Sequence, residues 1–428
     1  GAPLDSEGGD GSGSSSLPGP SALVGKHVSG ALSGTQRVCG DDGCGGTCGD
    51  CEACDGCAGG ACMPIVGAQA ACALPSSGFF CDRSVDVVWE SDMSFASQCG
   101  VITGDLTIAY EAGPIEDLSP LADLSEVQGY LTIGGYISGD GDTSWNQGLT
   151  SLQGLENLSG LGKWMSVKNN PDLVSLDGLP GPPLLEGSWV NVEGNPLLES
   201  IESLAGYEHM KGLDLSADSL ESVSALSELK TVGPSGLTIA CGACVDLTGL
   251  EKLSEVDGGL TLAGELVTSL SSLSSLTSVQ GASYGGPDAG LQVRDMDSLI
   301  TLDGLQSLSS VIGSVTIEWN DSLESLEGLE GLSETSGKVH ILDNPALMEV
   351  EALSGLQSCS GVAFYEGNLS LAQCAVDALS DALASEGASC PVSADSLGDT
   401  PCDCANGSSV SCPDCEATPD DPAEPNDL

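Results

Sequence analysis

The chain has 428 residues and a formal net charge of −53, from 63 acidic and 10 basic residues. Phosphate contacts need Lys and Arg, so this balance excludes nucleic-acid binding and argues against docking on anionic lipid. Nineteen cysteines with no obvious metal motif point to disulfides and an oxidising compartment, extracellular or at a cell surface.

The length suits two or three domains or one elongated array. The sequence starts at Gly1 and its first methionine is Met63, which reads as a processed chain with any signal peptide removed. No run of 18 apolar residues occurs, so no transmembrane segment is expected.

Residues 1–38 are Gly/Ser-rich and aperiodic, which predicts a flexible linker. Residues 39–80 follow as a cysteine-rich module, opening with "CGDDGCGGTCGDCEACDGCAGGAC". So short and apolar-poor a segment cannot hold a core, so disulfides must hold it.

From about 100 to 370 the chain repeats. Eleven short alternating segments recur: "GDLTIA" (104–109), "GYLTIG" (129–134), "KWMSVKNN" (163–170), "SWVNVEGN" (188–195), "KGLDLSAD" (211–218), "GLTIACG" (236–242), "GLTLAGE" (259–265), "GLQVRDM" (290–296), "SVTIEWN" (314–320), "KVHILDN" (338–344) and "GVAFYEGN" (361–368). The interval is mostly 23–25 residues, and leucines in an LxxLxxL-like order follow the strands, as in "NNPDLVSLDGL" (169–179). That period is too short for a helical-hairpin repeat and suits one coil of a parallel β-solenoid. Alternate strand residues such as Leu131 and Ile133 point inward. Asn tolerates the left-handed corner and Pro fixes φ on leaving it. Stacked Asn side chains also satisfy buried corner amides. Eleven coils at about 4.8 Å each make a rod of roughly 50 Å.

"CGVITGDLTI" (99–108) and "VHILDNPALMEV" (339–350) resemble the first and last coils of the receptor L domain, the family found in insulin and epidermal growth factor receptors and in bacterial and fungal surface proteins. The resemblance covers about 81–390. It implies a right-handed parallel β-helix with one large sheet as a binding face, and recognition rather than catalysis; the repeat gives it about eleven coils. It also implies a cap disulfide, which Cys81 and Cys99 match. Eleven coils exceed one such domain, which leaves two fused L domains open. The Gly/Asp-rich cysteine module resembles bacterial secreted surface proteins.

Leu371, Val376, Leu379 and Leu383 approximate helical spacing and predict a short C-terminal capping helix, with Cys374 pinned to Cys359 or Cys390. Residues 391–428 form an acidic, Cys-containing tail that reads as disordered. There Cys402, Cys404, Cys412 and Cys415 read as two disulfides rather than a zinc site. Cys241 and Cys244 read as a local clasp, because no thioredoxin-like context surrounds them.

Outward strand positions carry the functional candidates. Thr107, Thr132, Ser166, Asn191, Asp214, Thr238, Thr261, Gln292, Thr316, His340 and Ala363 form one row, too mixed for an ice-binding array and suited to an exposed pleated surface. Beside it, Tyr130, Trp164 and Trp189 fall on three consecutive coils, flanked by Lys168 and Glu193. Such an aromatic platform suits a glycan or a protein ligand, unless a neighbouring segment such as the insertion with Trp145 covers it. Asp295, Asp297, Glu318 and Arg294 are the rival, a carboxylate cluster for a polysaccharide-active enzyme. His27, His209 and His340 lie beside no nucleophile, and His340 reads as an exposed strand residue. Asp140 and Asp142 offer weak Ca²⁺ binding at most, lacking the later Glu of an EF-hand. No other cofactor is expected. Four Asn-x-Ser sequons, at Asn157, Asn320, Asn368 and Asn406, would carry glycans in a eukaryotic secretory pathway. The reading is therefore a non-catalytic extracellular recognition or adhesion protein. A spacer or self-associating rod is the alternative, and a polysaccharide-active enzyme the third.

Overall fold

In a computed structural model of the chain, the structure describes residues 79–397 apart from 89, 110–114, 136–146, 282–289 and 396, together with the paired strands Asp55–Ala58 and Ala61–Pro64. The chain divides into two units, Gly1–Met63 and Pro64–Leu428, and the repeats lie in the second.

That second unit is a parallel β-solenoid. All eleven repeat segments lie side by side in one 13-stranded sheet, flanked by Val85–Val87 at one end and Val392–Ala394 at the other. The pairing is parallel throughout and the register is in step, with Leu131 opposite Met165, Met165 opposite Val190, and Leu291 opposite Val315. A second face carries strands of two to four residues in sheets of four and six strands. The remaining wall is built from turns, short 3-10 helices and isolated bridges.

The reason is the one the repeat suggests. Leu131, Ile133, Val315 and Ile317 are fully buried, as are the wall leucines Leu173, Leu176, Leu302 and Leu305. They join one continuous core running from Cys81 to Cys390. No coil encloses its own apolar residues, so each depends on its neighbours.

The corners are held by an asparagine ladder. Asn169, just before the ladder residue Asn170, takes φ 56°. The Asn170 side chain donates to Ile133 O (3.2 Å) and to Asn195 Oδ1 (3.0 Å), one coil on. Asn320, Asn344 and Asn368 repeat this in the last coils, each fully buried. In the central coils the strands run on into buried Ala217 and Cys241, and the Cys241–Cys244 disulfide clasps the corner there. Two sequons are thereby corrected. Asn320 and Asn368 spend their amides on Val293 O and Ile341 O inside the core, so neither has room for a glycan in the fold. Asn157 is exposed, and Asn406 lies outside the described residues.

One turn motif escapes the leucine pattern. Gly154, Gly249, Gly304 and Gly328 each donate their N–H to an acid or amide side chain two residues on: Glu156, Glu251, Gln306 and Glu330. Gly328 has φ 112°, and a Cβ there would run into the Leu302 carbonyl of the preceding coil, so only glycine fits. Part of the chain's acidity is therefore turn chemistry.

The ends are capped. Cys81 bonds Cys99 across a Cα separation of 5.6 Å, and the helix Glu90–Ala96 lies between them in sequence. The predicted C-terminal helix spans Gln373–Ser385 and buries Val376, Leu379 and Leu383, but one more strand, Val392–Ala394, follows it and extends the sheet. Cys359 bonds Cys390, and Cys374 beside them is disulfide-bonded as well. Cys402, Cys404, Cys412 and Cys415 lie outside the described residues, as do Asp140, Asp142, Trp145 and His27.

Candidate functional site

The outward row of the 13-stranded sheet follows the strand registers from Thr107 through Thr132, Ser166, Asn191, Asp214, Thr238, Thr261, Gln292, Thr316 and His340 to Ala363. Side chains two residues earlier on each strand form a parallel column on the same face. In three consecutive coils that column is Tyr130, Trp164 and Trp189. The rings touch in series. Tyr130 and Trp164 have centroids 4.3 Å apart and tilted by 35°. Trp164 and Trp189 are 5.2 Å apart, edge to face. Trp164 keeps 41% of its surface exposed. Packing among the rings costs little, but an exposed indole on a soluble surface is the kind of feature that marks a contact site.

Charged groups frame the row. Lys168 Nζ lies 2.7 Å from Glu193 Oε2, on adjacent coils as the spacing requires. Lys163, given no role by the sequence reading, places its ammonium 4.1 Å from the Tyr130 ring centroid. Asp105 Oδ1 accepts from the Tyr130 backbone N–H at 2.9 Å and fixes the start of that strand.

The centre of the patch is not the solvated row the sequence suggests. Asn191 is only 7% exposed. Trp189 Nε1 and Asn191 Nδ2 converge on the same carboxylate oxygen, Asp214 Oδ2, at 3.1 and 3.4 Å. Burial pushes the Asp214 carboxyl above its ordinary value, against hydrogen bonds from Thr238, Trp189 and Asn191 that pull it down. Asn191 Oδ1 has no hydrogen-bond partner. Gly212 makes this arrangement possible, since a Cβ there would stand 2.9 Å from Trp189 Cδ1. The sequence placed Asn191 and Asp214 in the row; only the neighbouring coils show that Asn191 is covered and Asp214 half-buried.

The rival carboxylate cluster is partly assembled. Arg294 pairs with Asp295 (2.6 Å) and faces Glu318 across the register, while Asp297 is exposed. Burial raises the Glu318 carboxyl, Arg294 lowers it, and Asp295 and Asp343 raise it further. Trp319, 47% exposed at φ 55°, donates to Asp343 at 3.2 Å. His340 corrects the sequence reading: it is half-buried and stacks on Tyr365, with centroids 5.6 Å apart and planes 9° from parallel. His209 bonds the Thr231 hydroxyl at 2.8 Å. Among the described residues, no group of three or more His, Cys, Asp or Glu is placed to hold a metal, and no helix is long and apolar enough to cross a membrane.

Residues 197–327 match the family model of the receptor L domain. That segment, about a third of the chain, is similar to the receptor L domain. The matched span covers the central coils and includes Asp214, with the aromatic row immediately before it. No curated protein sequence matches the chain. The family carries a receptor-like, ligand-binding role and is non-enzymatic in general. Together with the disulfides it points to an extracellular protein.

Proposed function

We propose that this L-domain-like chain is a non-catalytic extracellular recognition protein that captures a glycan or protein ligand on the outward face of its 13-stranded sheet. The supporting observation is the Tyr130–Trp164–Trp189 row, three aromatics in contact on successive coils with Trp164 left 41% exposed. Aromatic anchors beside a charged rim carry most of the energy at recognition surfaces. The parallel register makes the platform rigid, so little ordering entropy opposes binding.

The test is a binding screen of the purified chain against polysaccharides and cell envelopes, beside Trp164→Ala. Trp164 is the cleaner probe because Trp189 also holds Asp214. A ligand that binds the parent at least about tenfold more tightly than an equally stable Trp164→Ala supports the reading. Equal binding by both moves recognition off this face.

A further inference from the structure

Resting on that sheet-face reading, we propose that the ligand is a neutral carbohydrate, and that Asn191 and Asp214 determine specificity by accepting hydrogen bonds from its hydroxyls.

The donor–acceptor inventory leads there. Asn191 Oδ1 is an acceptor with no protein donor, on a side chain 7% exposed. Buried polar atoms are nearly always paired, and leaving one unmade is costly. Its neighbour Asp214 is a half-buried carboxylate whose Oδ2 is already shared by Trp189 and Asn191. The patch therefore seeks hydrogen-bond donors. Sugar hydroxyls supply them, while the apolar face of a pyranose stacks on an indole. Asn191 Oδ1 is shielded, so a neighbouring side chain must move aside when the ligand binds.

Charged ligands fit poorly. A uronate or sulfate brings no hydroxyl donor at its charged group and meets Asp214, Glu193 and Asp105 on a chain of net charge −53. A quaternary ammonium needs an open aromatic cage. Here the rings pack on one another at 4.3 and 5.2 Å, and the Lys163 ammonium already sits over Tyr130. Lys168, held by Glu193, stands at the rim where a ring oxygen or hydroxyl can accept from it.

The experiment is calorimetry of the full chain with neutral gluco-, manno- and galacto-oligosaccharides, a galacturonate oligosaccharide and choline. It is repeated with Trp164→Ala, the isosteric Asp214→Asn and the volume-matched Asn191→Leu, each checked for a parent-like far-UV spectrum. The expected result is binding of a neutral oligosaccharide alone, weakened about tenfold or more by each of the three substitutions. If Trp164→Ala weakens binding while Asp214→Asn and Asn191→Leu do not, the polar pair is merely structural. This inference then falls and the sheet-face reading survives. Tighter binding of galacturonate or choline, or of no neutral sugar, overturns the carbohydrate assignment. If a neutral sugar binds and Trp164→Ala leaves its affinity unchanged, the sheet-face reading falls and takes this inference with it.

Discussion

Replacing Asn344 with alanine tests the asparagine ladder directly. Its Nδ2 donates to Ile317 O at 3.0 Å and Leu342 O at 2.9 Å, and its Oδ1 accepts from Asn320 Nδ2 at 2.9 Å and Asn320 N at 3.2 Å. The residue is fully buried, so no water replaces what is lost. Three good hydrogen bonds at about 1 kcal/mol each, plus about 1–3 kcal/mol for the orphaned Asn320 backbone N–H, sum to roughly 4–6 kcal/mol. A control is Asn157→Ala, which removes one exposed bond to Ala122 O (2.8 Å) and should stay within about 0.5 kcal/mol of the parent. The assay is urea unfolding followed by circular dichroism, with the slope compared between variants so that the midpoint shift reads stability. Asn344→Asp adds a second arm. At neutral pH its carboxylate would face the Ile317 and Leu342 carbonyls, and the penalty should shrink in acid, where the protonated group regains a donor. An Asn344→Ala loss below about 1 kcal/mol, or equal to that of Asn157→Ala, would refute the ladder as the support of these corners.

Three further outcomes follow from the geometry. Because burial raises the Asp214 carboxyl, its contribution to stability is full below the ordinary carboxylate value and is lost as pH rises through the folded value; Asp214→Asn should therefore melt higher than the parent at pH 7 and converge with it in acid, and a variant that melts lower at both would contradict the assignment. Trp319 holds φ 55°, a region that suits Asn far better than a bulky side chain, so Trp319→Asn should gain about 0.5–1 kcal/mol in urea midpoint analysis despite losing its exposed bond to Asp343; a loss would show that the indole contact outweighs the strain. Alanine pairs at Cys81/Cys99 and Cys359/Cys390, which close 18 and 31 residues, should each cost about 3–4 kcal/mol, against about 2 kcal/mol for Cys241/Cys244, which closes 3. Equal losses in thermal melts would mean that loop closure does not govern these bonds.

Much of this molecule is written in its local pattern. Leu131, Ile133, Val315 and Ile317 are inward because a strand alternates, and the 24-residue beat makes the same choice in every coil. The Asn-Pro corners and the side-by-side order of Tyr130, Trp164 and Trp189 follow from period and parallel register, Cys241–Cys244 from its short spacing, and Cys81–Cys99 from the family resemblance. Stacking decided the rest, because it joins residues more than twenty positions apart whose side chains carry no mark of one another. The repeat sets Asp214 beside Asn191, but only the stack shows that Asn191 is shielded there and its oxygen unpaired. Asn320 and Asn157 share the same Asn-x-Ser spelling, yet one is sealed in the core and the other faces water. His340 reads as a surface residue until Tyr365 of the next coil covers it. A repeat sets which way each side chain points; what it meets there depends on the residue one coil away, and that is a property of the stack.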